Sequence, residues 1–223
     1  MNHLLRTVVP LLALAACQTD DDAPAPPAGA AVYRVTFTAT WSAATHVNFP
    51  AGAHFSPIIG LSHRAGALIF QPGRPASRGI QDMAELGVNT ALRTEIAALQ
   101  ASGAALARLD GRGLPSPGSV GGDTIRLDAA HPRLTLVTMI APSPDWFVAL
   151  EDETLLGPDG QWATRRTVPA RSYDAGTDSG LSFTSPNQAT TPAEPIRTLQ
   201  LPPASGSAPD GPPLGTWELE RVR

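Results

Sequence analysis

The chain has 223 residues, 16% of them charged, with a formal net charge of −4 at pH 7 and a single cysteine. It contains no lysine and no basic stripe interleaved with aromatics, which excludes the electrostatic footprint of a nucleic-acid binder. A lone thiol excludes an internal disulfide framework, so a folded domain must be held by its core, aided at most by a bound ion.

Arg6 is the only charged side chain before Thr7-Val8-Val9-Pro10-Leu11-Leu12-Ala13-Leu14-Ala15-Ala16. A positive start followed by a short apolar run reads as a secretory signal over residues 1–16. The run is about half the ~20 apolar residues that cross a bilayer as a helix. Leu14-Ala15-Ala16-Cys17 resembles the lipobox of bacterial lipoproteins, with small residues that admit a peptidase and a thiol that accepts the lipid. That resemblance implies that Cys17 becomes the lipidated first residue and anchors the chain to the membrane, where each buried methylene contributes ~0.8 kcal/mol. The other reading is an ordinary secretory signal with an unpaired thiol. Gln18 resembles the sorting residue that favours the outer membrane of the cell envelope. Residues 17–31, with Asp20-Asp21-Asp22 and a Pro-rich run, read as a stiff tether.

Residues 32–223, about 190 in all, suit one domain. Residues 32–41 alternate, with Tyr33, Val35, Phe37, Ala39 and Trp41 on one side and Arg34, Thr36, Thr38 and Thr40 on the other, which predicts a half-buried strand. Residues 42–62, broken by Pro50, Gly52, Pro57 and Gly60, read as a long packed loop with Ile58-Ile59 buried. A short strand over 65–70 ends at Gln71-Pro72-Gly73. From Ser77 the period becomes helical, through Ile80, Met83, Ala84, Leu92, Ile96 and Leu99. Two short helices broken near Gly87 fit this, the second capped at Asn89-Thr90 and ended by Gly103, as insertions on a β scaffold. Strands follow over 124–127, 133–140, 146–150, 161–166, 181–184 and 216–222, with a Pro/Gly/Ser loop over 201–214. The whole predicts an all-β, antiparallel, eight-stranded sandwich.

Two acidic turns stand at strand ends, Pro142-Ser143-Pro144-Asp145-Trp146 and Tyr173-Asp174-Ala175-Gly176-Thr177-Asp178-Ser179-Gly180. Gly176 and Gly180 discourage a helix, so Asp174 and Asp178 would curl around a common point. Carboxylates that converge repel one another unless a cation lies between them. A hard divalent ion such as calcium suits oxygen donors, and no local His or Cys cluster favours zinc. On residue chemistry alone, aspartates that merely cap turns remain the alternative, and the spacing is not that of an EF-hand.

The order of segments resembles the spondin N-terminal domain family, of the F-spondin and mindin type found in animal extracellular matrix. The residues that carry the resemblance are 33–42, Thr45-His46, 55–63, 83–87, 139–148, 173–180, Ser185-Pro186-Asn187 and Pro195-Ile196. It implies a sandwich similar to calcium-dependent lipid-binding domains, with one Ca²⁺ held by Asp145, Asp174 and Asp178. The chain departs from the animal domains in lacking their disulfide cysteines and neighbouring modules, and its acidic balance opposes tight heparin binding.

His46, His54 and His63 are spaced through Pro/Gly-rich loop and read as satisfied side chains rather than zinc ligands. Trp41, Trp146 and Trp162 read as core, and Trp217 belongs to the last strand. No Gly-x-Ser-x-Gly elbow, phosphate loop or dinucleotide fingerprint occurs, so the chain reads as no enzyme. The expectation is a calcium-binding, membrane-anchored recognition or adhesion domain that contacts an envelope, matrix or cell-surface ligand. Two alternatives stay open: a metal-dependent envelope hydrolase using the same aspartates, and a purely structural envelope lipoprotein.

Overall fold

The computed structural model describes residues 29–201 and 211–223. The signal over 1–16, Cys17 and the tether up to residue 28 lie outside the described residues. In chain order the elements are β1 (Ala31–Ala39), β2 (His54–Phe55), β3 (Ile59–His63), α1 (Arg78–Leu86), α2 (Thr90–Ala101), β4 (Ala105–Asp110), β5 (Leu114–Pro115) and β6 (Gly118–Leu127). They continue with β7 (Arg133–Ala141), β8 (Trp146–Thr154), β9 (Arg165–Pro169), β10 (Arg171–Asp174), β11 (Arg197–Thr198) and β12 (Gly215–Arg221).

The strands form two antiparallel sheets. A four-stranded sheet runs β6-β1-β12-β9, and an eight-stranded one runs β11-β10-β8-β7-β2-β5 with β3 bonded to β7 and β4. The alternation in β1 sets the first sheet's inner face: Tyr33, Val35, Phe37 and Ala39 are buried, and Trp217 and Leu219 of β12 lie beside them. Phe37 meets Phe55 of the other sheet edge-on at a centroid distance of 5.0 Å, and tilts against Trp217 at 4.3 Å. Such pairs contribute ~0.5–1.5 kcal/mol beyond the area they bury.

β7 and β8 are buried on both faces, which is why they read as apolar runs rather than as clean alternations. Leu134, Leu136 and Ile140 of β7, with Trp146, Val148 and Leu150 of β8, face the core between the sheets. Val137, Met139, Phe147 and Ala149 face a second core, closed by Ile80, Met83 and Ala84 of α1 and Leu92 and Ile96 of α2. The helices are therefore a third layer that covers the outer face of the larger sheet. Ser77 caps α1 by accepting from the Ile80 N–H, and Gly87 ends it at φ 66°, a left-handed conformation that favours glycine. Asn89 precedes α2 but makes no side-chain cap; its Nδ2 donates to the Pro57 carbonyl instead.

The two-sheet antiparallel architecture is the expected one, whereas several element assignments differ. The region read as a loop over 42–62 contains β2 and the start of β3. β3 is buried at every position, so Ile59-Gly60-Leu61-Ser62-His63 carries no period-two signal. Gly60 is required there, because a Cβ would lie 2.0 Å from the Thr135 carbonyl oxygen. β4, β5, β10 and β11 also lie outside the strands expected from the sequence. The expected strand over 65–70 is turn and bend, although Ile69 and Phe70 are buried in the second core. The expected strand over 181–184 is a turn that leaves Leu181 90% exposed and drives Phe183 against Trp41 and Trp146. The strand expected over 161–166 is shifted to β9, which keeps Arg165 and Arg166 of it; before them only Trp162 pairs, in an isolated bridge with Leu156. Twelve strands form where eight were expected; three of them, β2, β5 and β11, have two residues each. β1 begins at Ala31, one residue before the strand expected there.

Candidate cation site

The site stands where β7 turns into β8 and where β10 ends. Antiparallel pairing sets Asp174 opposite Trp146 of β8 and, on the other side, opposite Arg197 of β11. Asp145, one residue before β8, is thereby brought beside the 174–178 turn. Its backbone carbonyl accepts from the Ala175 N–H at 3.1 Å. Its Oδ2 accepts from the Thr177 N–H at 2.7 Å, the Asp178 N–H at 3.1 Å and the Thr177 hydroxyl at 3.3 Å. The turn reaches this position because Gly176 adopts φ 75° and packs so closely on Glu194 that a Cβ would lie 2.3 Å from its carbonyl oxygen.

Asp145, Asp174 and Asp178 are all buried. Their carboxylates are nonetheless engaged differently. Asp174 accepts from the Gly176 N–H through Oδ1 and from Arg197 through Oδ2, each at 2.9 Å. Asp178 commits both oxygens to its own loop, Oδ1 to the Gly180 N–H at 2.7 Å and Oδ2 to the Gln188 N–H at 2.9 Å. Asp145 is the exception: its Oδ1 is buried without a hydrogen-bond partner. Burial pushes the Asp145 carboxyl up to about 6; the bond from Thr177 opposes this rise and the charge of Asp174 reinforces it.

The chemistry of the set fits a hard cation, with oxygen donors, carboxylates that outnumber the one guanidinium, and a buried oxygen that nothing satisfies. The side chains as placed do not surround one point: among the described residues, no group of three or more His, Cys, Asp or Glu side chains is arranged to hold a metal ion. The charge of Asp174 acts on the Asp145 carboxyl, whereas both carboxylate oxygens of Asp178 are committed to its own loop. Thr177 and Arg197 contact these carboxylates and are not among the residues expected at the site from the sequence. Thr177 lay inside the quoted turn, but Arg197 reaches the site only through strand pairing across 23 residues.

The other candidates resolve as core and loop features. His46 bonds Thr45 Oγ1 and the Pro212 carbonyl, and His63 bonds the Arg64 carbonyl and Thr135 Oγ1, so both buried imidazoles are satisfied. His54 is exposed and bonds the Gly52 carbonyl. Trp41, Trp146, Trp162 and Trp217 all lie in the core between the sheets. An open cleft of about 550 Å³, lined by Phe55, Leu86, Leu114 and Met139 among others, includes none of the three aspartates. No helix among the described residues is long and apolar enough to cross a membrane.

A family model described as Spondin_N matches residues 31–209. Spondin-1 of Gallus gallus is 36% identical over 183 residues, which cover 77% of this chain and 22% of that protein. Spondin-1 of Homo sapiens is 35% identical over the same shares. Spondin-2 of Homo sapiens is 32% identical over 177 residues, 76% of this chain and 52% of that protein. The matched region thus spans 22% of the spondin-1 proteins and 52% of spondin-2.

Proposed function

The chain belongs to the spondin N-terminal domain family, and from that premise we propose that it is a calcium-binding recognition or adhesion domain, held at the cell envelope by a lipid on Cys17. The observation that carries the calcium reading is the Asp145 carboxylate, buried beside Asp174 with one oxygen unpartnered. Two buried carboxylates at close quarters favour a doubly charged guest over the bare pair. Asp145 and Asp174 would supply the first oxygens, and Asp178 would join them by releasing one of its loop bonds. Backbone carbonyls and water would complete the six to eight oxygens that calcium takes. The ion would then tie the β7–β8 loop to the turn after β10 and so fix the shape of a binding face at that end of the sandwich.

Affinity in the ~10⁻⁴–10⁻³ M range typical of extracellular modules is sufficient where ambient calcium is high. Calorimetric titration of calcium into the domain tests this, with Asp145→Asn and the double variant Asp174→Asn/Asp178→Asn as controls. Equal heats from wild type and both variants would refute it. The ligand class is tested by capture from envelope extract with calcium and with chelator; calcium-independent capture would assign the ion a structural role. Anchoring is tested by Cys17→Ser, which should release the chain from the membrane fraction.

A further inference from the structure

We infer that Arg197 is a built-in competitor for the acidic site, a tethered cation that holds Asp174 when the ion is absent and lowers the affinity for the ion. This rests on the calcium reading above and assigns the residue that regulates it. Register places Arg197 directly across from Asp174, so the pairing of β10 with β11 delivers the guanidinium to the carboxylate. The fork is divided: Nη2 donates to Asp174 Oδ2 and Nη1 to Glu194 Oε2, each at 2.9 Å.

The two members of the pair have very different freedom. The Asp174 side chain is 6% exposed, whereas that of Arg197 is 57% exposed. The carboxylate is fixed by its burial and by the Gly176 N–H, while the guanidinium can swing into solvent without moving the backbone. Before an incoming cation can use Asp174 Oδ2, that bond must be surrendered, and any positive charge left nearby repels the ion. Glu194, itself exposed, gives Arg197 a second partner and so a resting place beside the site. The pair with Glu194 is exposed on both sides and stabilises the fold little, whereas the pair with Asp174 compensates a buried carboxylate. Beside a cation site the same charge weighs directly on affinity.

The test is calcium titration of the full chain at constant ionic strength, comparing wild type with Arg197→Gln, Arg197→Lys and Arg34→Gln. Arg197→Gln is expected to bind calcium about tenfold more tightly, equivalent to ~1.4 kcal/mol. Arg197→Lys keeps a point charge but loses the fork, and is expected to fall between wild type and Arg197→Gln. It also carries the test alone if the glutamine variant does not fold. Arg34→Gln removes the same net charge from a distant pair with Glu220, and is expected to leave the affinity unchanged. Unchanged or weaker binding by both Arg197 variants, with wild type still binding, overturns the role of Arg197 and leaves the calcium reading standing. Absence of binding by wild type and variants alike removes the calcium reading and this inference with it. Equal tightening by Arg34→Gln reduces the effect to net charge and overturns the local role.

Discussion

The outer face of the four-stranded sheet and the end of the eight-stranded sheet handle charge in opposite ways. On the outer face Arg34 pairs with Glu220 and Arg165 with Glu218, exposed and of alternating sign across adjacent strands. At the end of the other sheet, three aspartates are buried together with one partly exposed arginine. Exposed pairs of alternating sign are solvated, and each contributes little. Buried charges cost energy unless they are paired or hydrogen-bonded; Asp174 and Asp178 are, whereas Asp145 keeps one oxygen without a partner. The contrast marks the end of the molecule to which the calcium proposal applies.

The largest effect expected from breaking that contrast is at Asp145. Asp145→Ala strands the Thr177 and Asp178 N–H groups, and in chelator should cost ~2–4 kcal/mol by denaturant unfolding. Asp145→Asn keeps an acceptor and removes the buried charge, so in chelator at pH 7.5 it should be no less stable than wild type. A large loss in the asparagine variant would show that the charge itself is satisfied without an ion. Next in size, calcium at a hundredfold excess over its dissociation constant should stabilise wild type by about 2.7 kcal/mol. That gain should vanish in Asp145→Asn and persist in Glu220→Gln. Thermal unfolding with and without calcium measures both.

His63 sharpens the comparison with a buried group of the other sign. Burial lowers its folded-state pKa below the ordinary 6.5, with the Arg64 carbonyl and Asp152 opposing this. The native imidazole therefore stays neutral where the unfolded chain takes up a proton. Its contribution is full above about pH 6.5 and is lost as pH falls below it. Burial of Asp145 acts the other way between its ordinary 3.8 and about 6, where the native carboxyl binds the proton more readily. The quantity to measure is thus the slope of stability against pH from 7.5 to 5 in wild type and in His63→Gln; the variant should show the shallower acid loss. The smallest effect belongs to the exposed ladder. A double-mutant cycle on Arg34 and Glu220 should give ~0.2–1 kcal/mol and should shrink with added salt.

Much of this was legible before any coordinates. The alternation of β1 and the apolar runs of β7 and β8 identified the sandwich, because a strand with a solvent face and a core face writes its period into the chain. The helical spacing after Ser77 was equally plain, and Ser77 and Gly87 mark the ends of α1. β3 was hidden for the converse reason. β3 lies between β7 and β4 with no solvent face, and its Gly60 reads as a breaker although it answers a close backbone approach. At 181–184, Leu-Ser-Phe-Thr has strand-like composition, but Phe183 is claimed by Trp41 and Trp146, and the backbone turns to deliver it.

The chain by itself determined its antiparallel sandwich, its pair of helices and the two acidic turns, since these are local patterns of polarity and turn chemistry. Only the tertiary structure decided that the helices close a second core, that Asp145 is buried beside Asp174 with one oxygen unpartnered, and that Arg197 holds that neighbour. The reason is physical: burial and charge proximity depend on which distant strands become adjacent, and pairing between β8, β10 and β11 is set by long-range packing rather than by any residue's near neighbours.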